Sequence, residues 1–197
     1  MVIKEGGPSN IKTIIGLDVS YVKSLGIAVA AALTFPDMRL KEYVVVKGEV
    51  NIPYVPGLLA FREAPLLIKA YEKLGINADL LVIDGHGITH PRKFGIASHI
   101  GVVLDLPSIG AAKKILRGSI IRRNGNEYLV IDGEIGAVVA RIGKKTIYLS
   151  IGHKVSINYI ENIMNKLFKG HYLPEPTYIA DHITKKERMK VVAGNKR

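Results

Sequence analysis

Thr13-Ile14-Ile15-Gly16-Leu17-Asp18 and Leu80-Leu81-Val82-Ile83-Asp84 are two apolar, β-branched runs that both end on an aspartate, and the second continues into Gly85-His86-Gly87. Such runs read as buried strands. A carboxylate at the carboxyl end of a strand stands where open α/β sheets keep their ligands. Taken singly, an aspartate there more often only begins a turn; a pair of them turns the reading toward metal or acid chemistry.

The segments around these runs extend the pattern. Residues 11–18, 25–35 and 41–50 are rich in Val, Ile and Ala and are separated by Ser24, Pro36 and Asp37, which predicts an antiparallel meander of three strands. Pro53-Tyr54-Val55-Pro56-Gly57 cannot continue a strand ladder, because two prolines withdraw two donors. Leu58, Phe61, Leu66, Ala70 and Leu74 then recur at helical spacing, with the helix expected to begin near Pro65 so that the proline falls in its first turn. Downstream the sequence predicts a strand over 79–83, a short helix over 95–103, and a strand and turn over 104–110. Strands over 127–132, 135–142 and 146–150 follow, then a helix over 157–168 capped by Ser156 and ended by Leu173-Pro174-Glu175-Pro176. A last helix over 177–191 passes into a basic tail, residues 192–197, expected to be mobile. With 197 residues, 48% hydrophobic, and no linker or repeat, one domain spanning 1–197 is expected, built as a sheet with helices on its faces.

Composition narrows the chemistry. Lys and Arg number 28 against 17 Asp and Glu, a net charge of +11, which favours a polyanionic partner, nucleic acid first. No run approaches the roughly 18 apolar residues of a membrane span, and Met1-Val2-Ile3-Lys4-Glu5 is no signal-peptide core, so a cytoplasmic protein without membrane contact is expected. The absence of cysteine excludes disulfides, thiolate zinc sites and a cysteine nucleophile. Chemistry must come from carboxylates, histidines and lysines.

Three places concentrate those groups. Asp18, Glu63 and Asp84 lie on different elements that one sheet edge can gather, and a cluster of like charges there calls for a divalent cation. Mg²⁺ fits such oxygen ligands, with Mn²⁺ as a substitute, and its coordinated water can attack phosphorus. Glu63 by itself reads more readily as a solvated helix residue or a partner for Arg62, since spacing alone gives it little weight. Tyr54, held between two prolines, reads either as a stiff wedge for a base stack or as a core tyrosine before a turn. In Asp84-Gly85-His86-Gly87-Ile88-Thr89-His90-Pro91-Arg92-Lys93-Phe94-Gly95, small residues permit close backbone approach, and His90, Arg92 and Lys93 suit an anion. A zinc pair of His86 and His90 is disfavoured because glycines oppose a helix and no Glu lies between them. Gly143-Lys144-Lys145-Thr146 lacks the upstream glycine of a phosphate loop.

GLDVSY (16–21), PYVPGLLAFRE (53–63), VIDGHGITHPRKFGIASHIGV (82–102), GAAKK (110–114) and LPEPT with the following AD (173–181) together resemble the endonuclease V, or deoxyinosine 3′ endonuclease, family. The resemblance implies an α/β, ribonuclease-H-like mixed sheet of three antiparallel and further parallel strands flanked by helices. It implies metal-binding roles for Asp18 and Asp84, with Glu63 completing the acidic cluster. Asp181 falls where the family carries Asp or His, and Lys113 where it carries a lysine near the scissile phosphate. Pro53, Tyr54, Val55 and Pro56 resemble its wedge, with Val55 in place of Ile. Gly57, Leu59, Gly85 and His90 would surround a flipped hypoxanthine. The implied activity is hydrolysis of the second phosphodiester bond 3′ to deoxyinosine in DNA, by a monomer. Three alternatives stay open: an endoribonuclease acting on inosine in RNA, a structure-specific nuclease of the same fold, and a non-catalytic nucleic-acid binding module.

Overall fold

The computed structural model describes residues 1–53, 55 and 59–194. Its frame is set by the two aspartate-ended runs, which lie side by side as parallel strands with Ile14 opposite Leu80 and Leu17 opposite Ile83. They are β1 (Thr13–Val22) and β4 (Leu80–Asp84). On one side of β1, β2 (Leu25–Thr34) and β3 (Leu40–Glu49) complete the antiparallel meander. On the other side, β4 pairs in parallel with β5 (Ser108–Ala112). An antiparallel wing continues from β5 through β9 (Lys145–His153), β8 (Glu134–Ile142), β7 (Asn126–Ile131) and β6 (Ser119–Arg123). The nine strands thus run β3-β2-β1-β4-β5-β9-β8-β7-β6 in one mixed sheet, the α/β arrangement expected from the sequence.

Alternation along the strands sorts the side chains onto two faces. Ile15, Leu17, Leu81 and Ile83 point to a core closed by α1 (Leu59–Leu74) and α2 (Ile96–Leu104). Ile14, Leu80, Val82 and Ile109 point to the opposite core, closed by α3 (Ile157–Leu167) and α4 (Glu175–Gly194). A third, smaller cluster around Leu129, Ala137 and Tyr148 fills the wing. No described helix is long and apolar enough to cross a membrane.

Several boundaries differ from those expected. Pro65 lies inside α1 rather than in its first turn, and Phe61 is 58% exposed rather than part of the buried stripe of Ala64, Leu66, Leu67, Ala70 and Leu74. The two departures share one cause. Pro65 has no N–H for the carbonyl of Phe61, and because both residues lie on the solvent side, water can satisfy that carbonyl. Leu104 closes α2 instead of opening a strand, since Asp105 turns left-handed with φ of 54° and caps the helix. Strand β6 went unseen in the sequence because its SIIRR stretch carries little apolar alternation and sits exposed at the sheet edge. It is joined to β7 by Asn124-Gly125, both at positive φ as a two-residue hairpin requires. Helix α4 starts at Glu175, with Pro176 in its first turn, and continues to Gly194, so residues 192–194 are helical rather than tail.

One close contact seats α4 on the sheet. A Cβ on Gly16 would fall 2.0 Å from the carbonyl oxygen of Pro176, so only glycine lets the start of α4 lie directly on β1. Gly16→Ala is expected to cost about 1–3 kcal/mol as overpacking. For a chain of this size that is a fall in Tm of roughly 3–10 °C, measurable by thermal unfolding.

Candidate active site

The register that pairs Leu17 with Ile83 brings Asp18 and Asp84 level on neighbouring strands. Both share the strand parity of Ile14 and Leu80, so both belong to the face covered by α4. Asp181 comes down from that helix. Ligand oxygens of Asp18, Asp84 and Asp181 lie within 4.8 Å of one another. Glu63 stands outside this trio because α1 covers the other face of the sheet, although it remains near enough to sense the charges of Asp18 and Asp84.

Each aspartate of the trio has one oxygen already engaged. Thr184 Oγ1 donates to Asp18 Oδ2 at 2.6 Å, Lys113 Nζ to Asp84 Oδ2 at 2.5 Å, and Lys185 Nζ to Asp181 Oδ2 at 2.6 Å. One carboxylate oxygen from each lies close enough to the others to share an ion. Burial first, then the charge of Asp84, pushes Asp18 up to about 7, against the opposing Thr184 bond. Burial, followed by Asp18 and Asp84, pushes Glu63 up to about 8. Burial opposes the charge on Lys113, but Asp84, Asp181 and Asp18 outweigh it and hold the ammonium above the usual lysine value. Three carboxyl oxygens gathered this tightly match the donor set of a hard divalent ion. Among the described residues this is the one group of three or more such ligands, and His86 and His90 join no metal-binding set.

The loop after Asp84 opens a cavity of about 370 Å³ lined by Leu59, Gly85, His86, His90, Phe94 and Ile96. Gly85 sits at φ of 143°, and a Cβ there would fall 2.4 Å from Ile96 Cγ2, so glycine both permits the turn and keeps the wall thin. His86 bonds Thr89 Oγ1 at 2.9 Å through Nδ1, and burial with the neighbouring His90 lowers its pKa to about 4. His90 Nδ1 accepts from the backbone N–H of Arg92 at 3.2 Å, while burial and Arg92 lower its pKa. Its neutral ring therefore carries the proton on Nε2 and offers a donor.

Of the residues singled out in the sequence, Asp18, Asp84 and Asp181 converge, and Lys113 and Glu63 lie beside them. Leu59, Gly85 and His90 share the cavity. Pro53 and Val55 are exposed on the approach to α1, and Tyr54, Pro56 and Gly57 lie outside the described residues. Thr184, Lys185 and Phe94 were missed, and His86, weighed in the sequence only as a disfavoured zinc ligand, lines the cavity. Thr184 and Lys185 follow Asp181 by three and four residues, the spacing that shares a helix face, and this was the available signal.

A carboxylate trio that could hold a metal ion, at the strand ends of a mixed sheet and beside a base-sized cavity on a strongly basic chain, is an arrangement that fits a nuclease. Comparison with known proteins makes this specific. The family model for endonuclease V matches residues 1–182. Endonuclease V of Dictyoglomus thermophilum is 43% identical over 191 residues, covering 94% of this chain and 84% of that protein. The crystal structure of the Streptomyces avermitilis endonuclease V superposes with a TM-score of 0.88 at 31% identity, over 97% of this chain and 88% of that one. Ciona intestinalis endonuclease V, in complex with a 24mer DNA containing an inosine followed by a ribo-adenosine, superposes with a TM-score of 0.85 at 26% identity, over 96% and 92%. The chain belongs to the endonuclease V family, and the match makes it a nuclease.

The raised carboxyls predict an unusual response to pH. Asp18 and Glu63 have folded values above their ordinary 3.8 and 4.5, so their contribution to stability is present below those values and lost as pH climbs through about 7 and about 8. In EDTA, Tm is expected to fall by several degrees between about pH 5 and about pH 8.5. Mg²⁺ is expected to raise Tm more at the higher pH, where the carboxylates are ionised. Glu187, held down at about 2 by Lys190 and Lys47, acts only below this window.

Proposed function

We propose that this chain is a divalent-cation-dependent endonuclease that recognises hypoxanthine in deoxyinosine and hydrolyses the second phosphodiester bond on its 3′ side. The products carry 3′-hydroxyl and 5′-phosphate ends, and the role is DNA repair. The observation that carries the reading is a juxtaposition: Asp84 ends the acidic trio and the next residue, Gly85, begins the cavity wall. Recognition and cutting are thereby held one peptide apart.

When bound, Mg²⁺, or Mn²⁺ in its place, supplies Lewis acidity toward a water and the scissile phosphate. Asp18, Asp84 and Asp181 would each offer it one carboxylate oxygen, with Glu63 as an outer carboxyl. Lys113, bonded to Asp84, places a positive charge where the phosphate must arrive and stabilises charge developing on its oxygens. The base is flipped into the cavity, where His90 Nε2–H meets an acceptor edge and Gly85 brings backbone against the ring. Hypoxanthine lacks the exocyclic amine of guanine, so a close wall excludes guanine sterically. In adenine the six-position carries a donor, which the His90 donor rejects. Tyr54, with Pro53, Val55 and Pro56, is assigned the wedge that fills the gap left in the strand. The surplus of 28 basic over 17 acidic residues draws the phosphate backbone to the surface.

A second reading is supported by the Ciona intestinalis complex, whose DNA carries a ribonucleotide directly after the inosine. On that reading inosine in RNA is the substrate of the same site.

End-labelled duplexes with and without one deoxyinosine, and matched strands with inosine in RNA, each incubated with and without Mg²⁺, test both readings. Cleavage is expected only with inosine and metal together. Asp84→Ala is expected to lower cutting by at least about 100-fold while lesion binding persists. Tyr54→Ala is expected to weaken lesion binding and selectivity instead. Cutting by Asp84→Ala at the wild-type rate would show the site to be misassigned.

A further inference from the structure

Helix α4 brings more to the site than Asp181. In a single turn it supplies Asp181, the Thr184 hydroxyl on Asp18, and Lys185, whose ammonium lies 2.6 Å from Asp181 Oδ2. The family match ends at residue 182, before the last two of these. Lys185 and Lys113 flank the trio in the same manner, each holding one aspartate by its Oδ2. Three carboxylates within 4.8 Å repel one another, and two ammoniums on their outer oxygens offset that repulsion.

The two lysines differ in freedom. Asp181 is nearly buried, with 14% of its side chain exposed, whereas the Lys185 side chain is 58% exposed. Its flexible stem lies mostly in solvent and can leave Asp181 with little loss of packing. An ammonium is a compact charge that changes partners readily, unlike a guanidinium fixed in a planar fork.

We propose that Lys185 is the built-in counter-ion of the cation site: it balances Asp181 until a divalent ion shares that carboxylate, then moves onto an oxygen of the substrate phosphate. Lys185 is thus a positioning residue in the free protein and a phosphate contact in the complex. The inference rests on the cation-dependent reading above. It explains how the acidic trio stays assembled between turnovers and gives the phosphate a second cationic partner beside Lys113.

The first measurement needs no substrate. The full chain is titrated with MnCl₂ alone by calorimetry, as wild type, Lys185→Met, Lys185→Arg and Lys186→Met. Loss of a charge that competes with the ion is expected to tighten Mn²⁺ binding in Lys185→Met by about three- to ten-fold. Lys186→Met, whose side chain belongs to the groove between α4 and β3, is expected to stay within about twofold of wild type, and Lys185→Arg, which keeps the charge and holds the carboxylate at least as firmly, is expected not to tighten binding. The second measurement is the salt dependence of kcat/KM on an inosine-containing strand. There Lys185→Met is expected to reduce the slope of log(kcat/KM) against log[KCl] by about one, as loss of a single phosphate contact does. Methionine preserves side-chain length and helix propensity, and a melting curve confirms the fold.

Unchanged or weaker Mn²⁺ binding in Lys185→Met overturns the counter-ion role, and an unchanged salt slope overturns the transfer to phosphate. A wild-type chain that takes up no Mn²⁺ overturns this inference and the functional reading together. One that binds Mn²⁺ but cuts no inosine strand overturns the functional reading alone, and the counter-ion role is then decided by the titration.

Discussion

The parallel register of β1 on β4 is the constraint from which the site follows. Because Ile14 faces Leu80 and each later residue keeps step, the two strands reach their aspartates together and on the same side of the sheet. A slip of one residue would turn one carboxylate onto the α1 face and away from Asp181. That register is held by apolar packing on both faces, where Ile14, Ile15, Leu80 and Leu81 are all fully buried. The acidic cluster therefore draws its geometry from the hydrophobic core beneath it, and the core outweighs the local cost of gathering like charges.

The sheet also divides labour. The cavity is walled by Leu59 of α1 and Ile96 of α2 on one face, while Asp181 and Thr184 descend from α4 on the other. The two sets meet only at the strand ends, around Asp84 and Gly85. Ile96 packs in the core beneath α1 and α2, whereas Ala180 of α4 packs in the opposite core, so the cavity wall and the helix that carries Asp181 rest on different packing. This separation also accounts for Glu63: as a residue of α1 it approaches the trio from the cavity side and senses its charge without joining it.

Much of this was legible in the sequence because buried strands write themselves plainly. The β-branched runs ending at Asp18 and Asp84, the meander after them and the Ser156 cap, which bonds the Tyr159 N–H at 3.1 Å, needed only local rules. What local rules could not give was partnership across the chain. Asp181 stood out only through its place in the LPEPT and AD motif, because nothing within α4 shows that Gly16, far upstream, leaves room for the helix to dock. Thr184 and Lys185 looked like ordinary helix residues until their partners were in place. Pro65 misled for the opposite reason: a helix breaker by local rule, it is tolerated because the Phe61 carbonyl it leaves without a partner lies on the solvent side of α1.

The order of the chain has a consequence for synthesis. The sheet and the cavity loop are complete well before α4 emerges from the ribosome, yet the acidic trio lacks a member until that helix docks through the Gly16 notch. A chain lacking α4 would retain Asp18 and Asp84 but not Asp181, and would leave the β1 face beside Gly16 uncovered.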